Sequence, residues 1–208
     1  MSIFAAVRLG DYDRVAELLK TTDPNVKNHR QFSYSLLHYA IRNNNYHIAA
    51  LLLDHGADQG FKNLFGEIPL HVAIRKGNLD LVRLLLQYRI GTESLNNIKE
   101  SPLHYAARFG HIEIGRFLLD HDADIRGQNV NGDTPLHYTA IYNFPDFAIM
   151  LLQQGAPPDL LNFSNQDFLT GARQKNHVEF LLALEEYYHQ DTVARLTQNI
   201  VSGTSFLL

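Results

Sequence analysis

Residues 101–124 read SPLHYAARFGHIEIGRFLLDHDAD. The stretch holds one complete unit: a tight turn, a short helix, a second turn, a longer helix and an exit loop. Pro102 suits the first turn of a helix, where its missing N–H costs nothing, and Ser101 before it suits the cap. The chain writes this unit again and again. Ser35-Leu36-Leu37-His38-Tyr39-Ala40, Ile68-Pro69-Leu70-His71-Val72-Ala73, Ser101-Pro102-Leu103-His104-Tyr105-Ala106 and Thr134-Pro135-Leu136-His137-Tyr138-Thr139 are four copies of one phrase. Their histidines fall at 38, 71, 104 and 137, in steps of 33 residues. A fixed period of that size marks a solenoid of stacked repeats, each burying its apolar face on its neighbours.

The residue that ends each short helix supports the register independently. It is Gly10, Asn44, Gly77, Gly110, Asn143 and Asn176 in turn. Gly and Asn are the residues that most readily take the left-handed conformation of a helix C-terminus. Gly56 and Gly155 fit the same rule after the longer helices, but Arg89 and Asp122 do not, so looser or shifted ends are expected there. Leu37, Leu70, Leu103 and Leu136 are expected to point inward. Ala40, Ala73 and Ala106 are small enough to let helices approach to ~8–10 Å.

These phrases, with the Leu-Leu pairs and Gly56-Ala57-Asp58, resemble the ankyrin repeat over residues 2–189. The resemblance implies an all-α repeat solenoid of stacked helix–turn–helix units joined by short β-hairpins or turns. Its repeats would run 2–29, 30–62, 63–95, 96–128, 129–161 and 162–189. The first is a truncated cap. The sixth is worn, with Thr170 where the histidine should fall. Residues 190–208 are expected to form a capping helix, N-capped by Asp191 and running over 192–201, followed by the apolar tail Ser205-Phe206-Leu207-Leu208.

The totals exclude several classes. A formal net charge of -4 argues against general nucleic-acid binding, which needs a basic face. No cysteine is present, so disulfide and thiolate chemistry are excluded, which suits a reducing cytoplasm. No stretch approaches the ~20 apolar residues of a membrane span. There is no Gly-rich phosphate loop, no H-E-x-x-H and no G-x-S-x-G, so neither enzyme activity nor a cofactor is expected. The four repeat histidines sit one per ~10 Å layer and cannot converge on one ion, which needs ligands at ~2.1 Å. The resemblance implies instead that they tie turns together by hydrogen bonds.

The expected function is that of a monomeric, non-catalytic scaffold or adaptor that binds another protein. The resemblance implies docking on the concave face, at the turn tips and the outward side of the short helices. The matching positions include Phe32, Tyr34 and Arg42, then Leu64, Phe65, Glu67, Arg75 and Lys76. Further along they include Ile98, Glu100, Arg108 and Phe109, then Val130, Asp133, Ile141 and Tyr142, and last Phe163. Many are apolar or aromatic where water is expected, and such patches mark contact sites. Arg8, Arg42, Arg75 and Arg108 share one position in four successive repeats. Such a ladder either grips an acidic or phosphorylated peptide or pairs with carboxylates of the fold. The alternative function is a targeting module of a larger multidomain protein, such as a bacterial effector acting in a host cell.

Overall fold

The computed structural model describes residues 1–26, 33–88 and 91–201, the last stretch as helical backbone alone from 191 onward. Phe32, Arg89 and the tail from Ser205 to Leu208 lie outside the described residues. Helices come in pairs: α1 (Ile3–Leu9) with α2 (Tyr12–Leu19), α3 (Leu36–Arg42) with α4 (Tyr46–Asp54), and α5 (Pro69–Arg75) with α6 (Leu79–Gln87). Next are α7 (Pro102–Phe109) with α8 (Ile112–Leu119), α9 (Pro135–Tyr142) with α10 (Pro145–Gln153), and α11 (Phe168–Gln174) with α12 (Val178–Val201).

Each boundary follows from its residues. Ser35, Ser101 and Thr134 accept the backbone N–H of His38, His104 and His137 through their side-chain oxygens. Pro69, Pro102 and Pro135 open their helices. Gly10, Asn44, Gly77, Gly110, Asn143 and Asn176 all take positive φ, between 55° and 75°. Asp122 also does, at φ 62°, so the end of the fourth pair is as regular as those at Gly56 and Gly155. Asp tolerates the left-handed region better than most residues, which accounts for the difference from expectation.

The first helices of successive pairs (α3, α5, α7, α9, α11) pack more extensively on one another than the second helices (α4, α6, α8, α10) do. A two-layer stack with one layer closer curves toward it, so the first helices line the concave side. Leu37, Leu70, Leu103 and Leu136 are buried between the layers, and so are Leu52, Leu85, Leu118 and Leu151, again 33 apart. Among the described residues the connecting turns form no strand. They close by backbone bonds within each turn (Asn63 N to Glu67 O 2.9 Å, Asn96 N to Glu100 O 3.1 Å) and are stitched by single backbone bonds between turns. Asn97 N reaches Phe65 O at 3.1 Å, Val130 N reaches Ile98 O at 3.1 Å, and Phe163 N reaches Asn131 O at 2.9 Å.

The C-terminus differs from expectation. No new helix begins at Asp191; α12 runs unbroken over 24 residues. Asp can cap a helix only where the chain has already left helical geometry, and neither Gly nor Pro stands near to force that.

One close approach is testable. Gly115 lies inside α8, and a Cβ there would sit 2.3 Å from Cζ of Phe147, a fully buried ring of α10. Gly115→Ala gains about 1 kcal/mol of helix propensity but overpacks at a cost of about 1–3 kcal/mol. The expected result is a net loss of about 1 kcal/mol in urea unfolding. A stabilised variant would show that the two outer helices can part freely.

Candidate protein-binding surface

The four repeat histidines are structural. His38 Nε2 donates to the Glu67 carbonyl at 3.1 Å, His104 to Asp133 at 3.0 Å and His137 to Gln166 at 3.2 Å, each 29 residues on. Nδ1 accepts the N–H of Ser35, Ser101 or Thr134 at 3.2–3.3 Å, which fixes the tautomer. His71 Nδ1 likewise accepts the N–H of Ile68 at 3.2 Å. Its Nε2 faces the Glu100 carbonyl in the same register but outside good hydrogen-bond geometry. Burial lowers His38 and His71 to about 4 and lowers His104, so these rings are neutral at pH 7. His38, His104 and His137 therefore bridge one turn to the next, while His71 packs in the same place without the bond. Among the described residues, no three potential metal-ligating His, Asp or Glu side chains converge.

The turns rest on buried carboxylates. Glu67 and Glu100 were expected to face outward, as was Asp133; all three are buried. Glu67 accepts from Asn63 Nδ2 (2.7 Å), Tyr105 OH (2.9 Å) and Arg75. Glu100 accepts from Asn96 Nδ2 (2.7 Å), Tyr138 OH (2.5 Å) and Arg108 Nη1 (3.3 Å). Asn96 and Asn129 also donate to Tyr105 and Tyr138, at 3.1 and 2.9 Å, so the phenols link one layer to the next. Burial first, with the neighbouring carboxylates, raises both phenols well above their ordinary range, and they stay protonated donors.

These pairs decide the reading of the arginine ladder. Arg75 and Arg108 each hold a carboxylate of their own repeat. Arg42 instead lies over the Tyr34 ring, 5.7 Å from its centroid. Tyr34, expected at the surface, is buried against His38 and Tyr39. Glu67, Glu100, Tyr105 and the asparagines form one network that the repeat pattern alone does not reveal. The available signal was the spacing: Asn63, Asn96, Asn129 and Asn162 stand four residues before Glu67, Glu100, Asp133 and Gln166.

Other expected contact residues do reach the surface. Leu64 is 63% exposed, Phe65 52%, Ile98 46% and Phe163 73%, with Val130 and Tyr142 also exposed. Leu64, Phe65, Ile98 and Phe109 wall a groove of about 400 Å³ between the third and fourth turn tips, and Arg75 and Arg108 lie in it. Tyr142 adjoins the groove through Arg108, whose guanidinium is 5.4 Å from its ring centroid; Lys175 stands 5.4 Å from the same ring. Lys76 is exposed but outside the groove lining, and Ile141 is half-buried against the core. The structure thus brings together eight of the expected positions in one groove, Glu67 and Glu100 among them. It leaves Tyr34 with Arg42, and Ile141, outside it.

A family model described as "Ankyrin repeats (3 copies)" matches residues 3–96 and 87–162. A search of curated proteins found no match to the chain. Among the described residues, no helix is long and apolar enough to cross a membrane.

Proposed function

The chain belongs to the ankyrin repeat family, and from that premise we propose that it is a monomeric, cytoplasmic, non-catalytic scaffold that binds a partner protein on its concave face. Ankyrin repeats are generally protein–protein interaction modules, and the family is typically non-catalytic. The observation that carries the proposal is the groove walled by Leu64, Phe65, Ile98 and Phe109. Three of these four apolar side chains are about half exposed or more on the concave layer. Soluble monomers rarely leave such a cluster in water without a use for it. The arginines at its floor are already held by Glu67 and Glu100, so their geometry is set before any partner arrives, which lowers the entropic cost of binding.

The test is capture from cell lysate by wild type and by Phe65→Ala/Ile98→Ala. Both residues are exposed, so fold and melting temperature should be retained. A partner identified with the wild type should be lost by about tenfold or more, the loss of roughly 1.4 kcal/mol expected for hot-spot truncation. Equal capture by both proteins would remove the concave groove as the binding site.

A further inference from the structure

We propose that the partner segment is extended and acidic, with apolar side chains that enter the groove between the third and fourth turn tips. This rests on the protein-binding reading above and narrows its partner.

The first observation is charge segregation. The turns and first helices at 33–44, 61–77, 94–110, 127–143 and 160–176 carry eight basic side chains and four carboxylates. The face is therefore net positive by four in a chain whose formal charge is -4. Three of its carboxylates, Glu67, Glu100 and Asp133, are buried, and the fourth, Asp167, is half-buried and paired with Arg173. Asp167 apart, whose side chain is 37% exposed and tied to Arg173, every exposed charged side chain described on this face is a cation, Arg42, Lys76, Lys99 and Lys175 among them. The remaining carboxylates of the chain lie elsewhere, on the second helices, the exit loops and the N-terminal pair.

The second observation is donor surplus in the groove itself. Glu67 and Glu100 each already accept three hydrogen bonds from within the fold, and they are 2% and 1% exposed. They offer a ligand almost no acceptor. Arg75 and Arg108 have side chains 33% and 37% exposed, and each gives one N–H of its guanidinium to a carboxylate. A guanidinium has five donors in a planar fork. The floor therefore presents N–H groups between apolar walls. Carboxylates and main-chain carbonyls satisfy such a floor; ammonium groups do not. An extended chain supplies carbonyls along its length and sends alternate side chains to opposite sides, so acidic and apolar residues can both be placed.

The experiment selects binders from a random twelve-residue peptide library on three immobilised proteins: wild type, Phe65→Ala/Ile98→Ala and Lys76→Glu/Lys99→Asp. Lys99 sits at φ 58°, a conformation that Asp tolerates. The expected result is enrichment on wild type of peptides rich in Asp and Glu with one or two Leu, Ile or Phe. Their affinity should fall about tenfold from 50 to 300 mM NaCl, and about tenfold on the charge-reversed protein. Wild-type binders that need Phe65 and Ile98 but are neutral or basic, or insensitive to salt and to charge reversal, overturn the acidic assignment and leave the binding reading standing. Enrichment indifferent to Phe65 and Ile98 overturns both. So does a concentration-dependent dimer that loses its association in Phe65→Ala/Ile98→Ala, because the occupant is then a second copy. Tighter binding of a labelled twelve-base oligothymidine than of any selected peptide also overturns the proposal.

Discussion

Glu100→Ala is expected to lower the unfolding free energy by about 3 kcal/mol in urea denaturation, the low end of the cost of breaking a buried ion pair. Glu100 is 1% exposed and gathers donors from three sequence positions: Asn96, Arg108 and Tyr138. Removing it strands the Tyr138 hydroxyl, a short 2.5 Å donor from the next repeat, and one N–H of Asn96. Asn96 keeps its bond to Tyr105, and the part-exposed Arg108 can turn to water, which is why the low end applies. Glu100→Gln keeps an acceptor and the volume, and should cost about 1–2 kcal/mol. Tyr138→Phe removes the same inter-repeat bond from the other side. A double-mutant cycle of Glu100→Ala and Tyr138→Phe, each of which removes the bond, should therefore show coupling of about 1 kcal/mol or more. Because the bond joins neighbouring repeats, its loss should also broaden or split the unfolding transition, since a solenoid coheres only through nearest-neighbour contacts. Glu100→Ala unfolding within about 0.5 kcal/mol of wild type would show that the carboxylate is solvated and the network is ornamental to stability.

How far the sequence alone foretells this molecule depends on the range of the interaction concerned. The helix pairs, their caps at Ser35, Ser101 and Thr134, and the six left-handed residues from Gly10 to Asn176 rest on neighbours within four residues. All of them are legible in the sequence. The leucines at 37, 70, 103 and 136 are legible too, because the 33-residue period repeats the same environment. Glu67 and Glu100 are not. A lone acidic residue in a turn is ordinarily read as solvated, and what buries these two is a tyrosine hydroxyl 38 residues on in the next layer. Tyr34 was misplaced for a related reason: its ring packs on His38 and Tyr39, and pattern alone cannot say which way a turn aromatic folds. Of the candidate site, the exposed tips Leu64, Phe65 and Ile98 were legible because turn-tip positions of the repeat face water. The groove between them was not, since it exists only once two turns are stitched side by side. Asp191 shows the opposite failure, a local capping signal overridden by the continuing helix α12.

Acidification from pH 8 to pH 5 is expected to cost about 4 kcal/mol of stability through His38 and His71 alone, roughly 2 kcal/mol each. Both rings are fully buried, and burial lowers each from 6.5 to about 4. The unfolded chain therefore binds protons at these sites from about pH 6.5 downward, while the folded chain does not until about pH 4. Stability is full above pH 6.5, falls as pH drops between the two values, and loses no more from these groups once both states are protonated. Charges facing the rings act in opposite senses: Glu67 favours protonation of both, while Arg75 opposes it at His38 and Lys62 at His71. His104 is lowered for the same leading reason, its burial, and adds in the same direction. The measurement is the urea midpoint at pH 8, 7, 6 and 5, for wild type and for His71→Asn. The variant should be less stable at pH 8, having lost the packing of a fully buried ring, but should show a shallower fall toward pH 5 by about 2 kcal/mol. A wild-type midpoint that stays flat between pH 7 and pH 5 would mean that the ring protons are exchanged without unfolding the turns. His38 and His71 could not then be the buried neutral rings that the turns pack around.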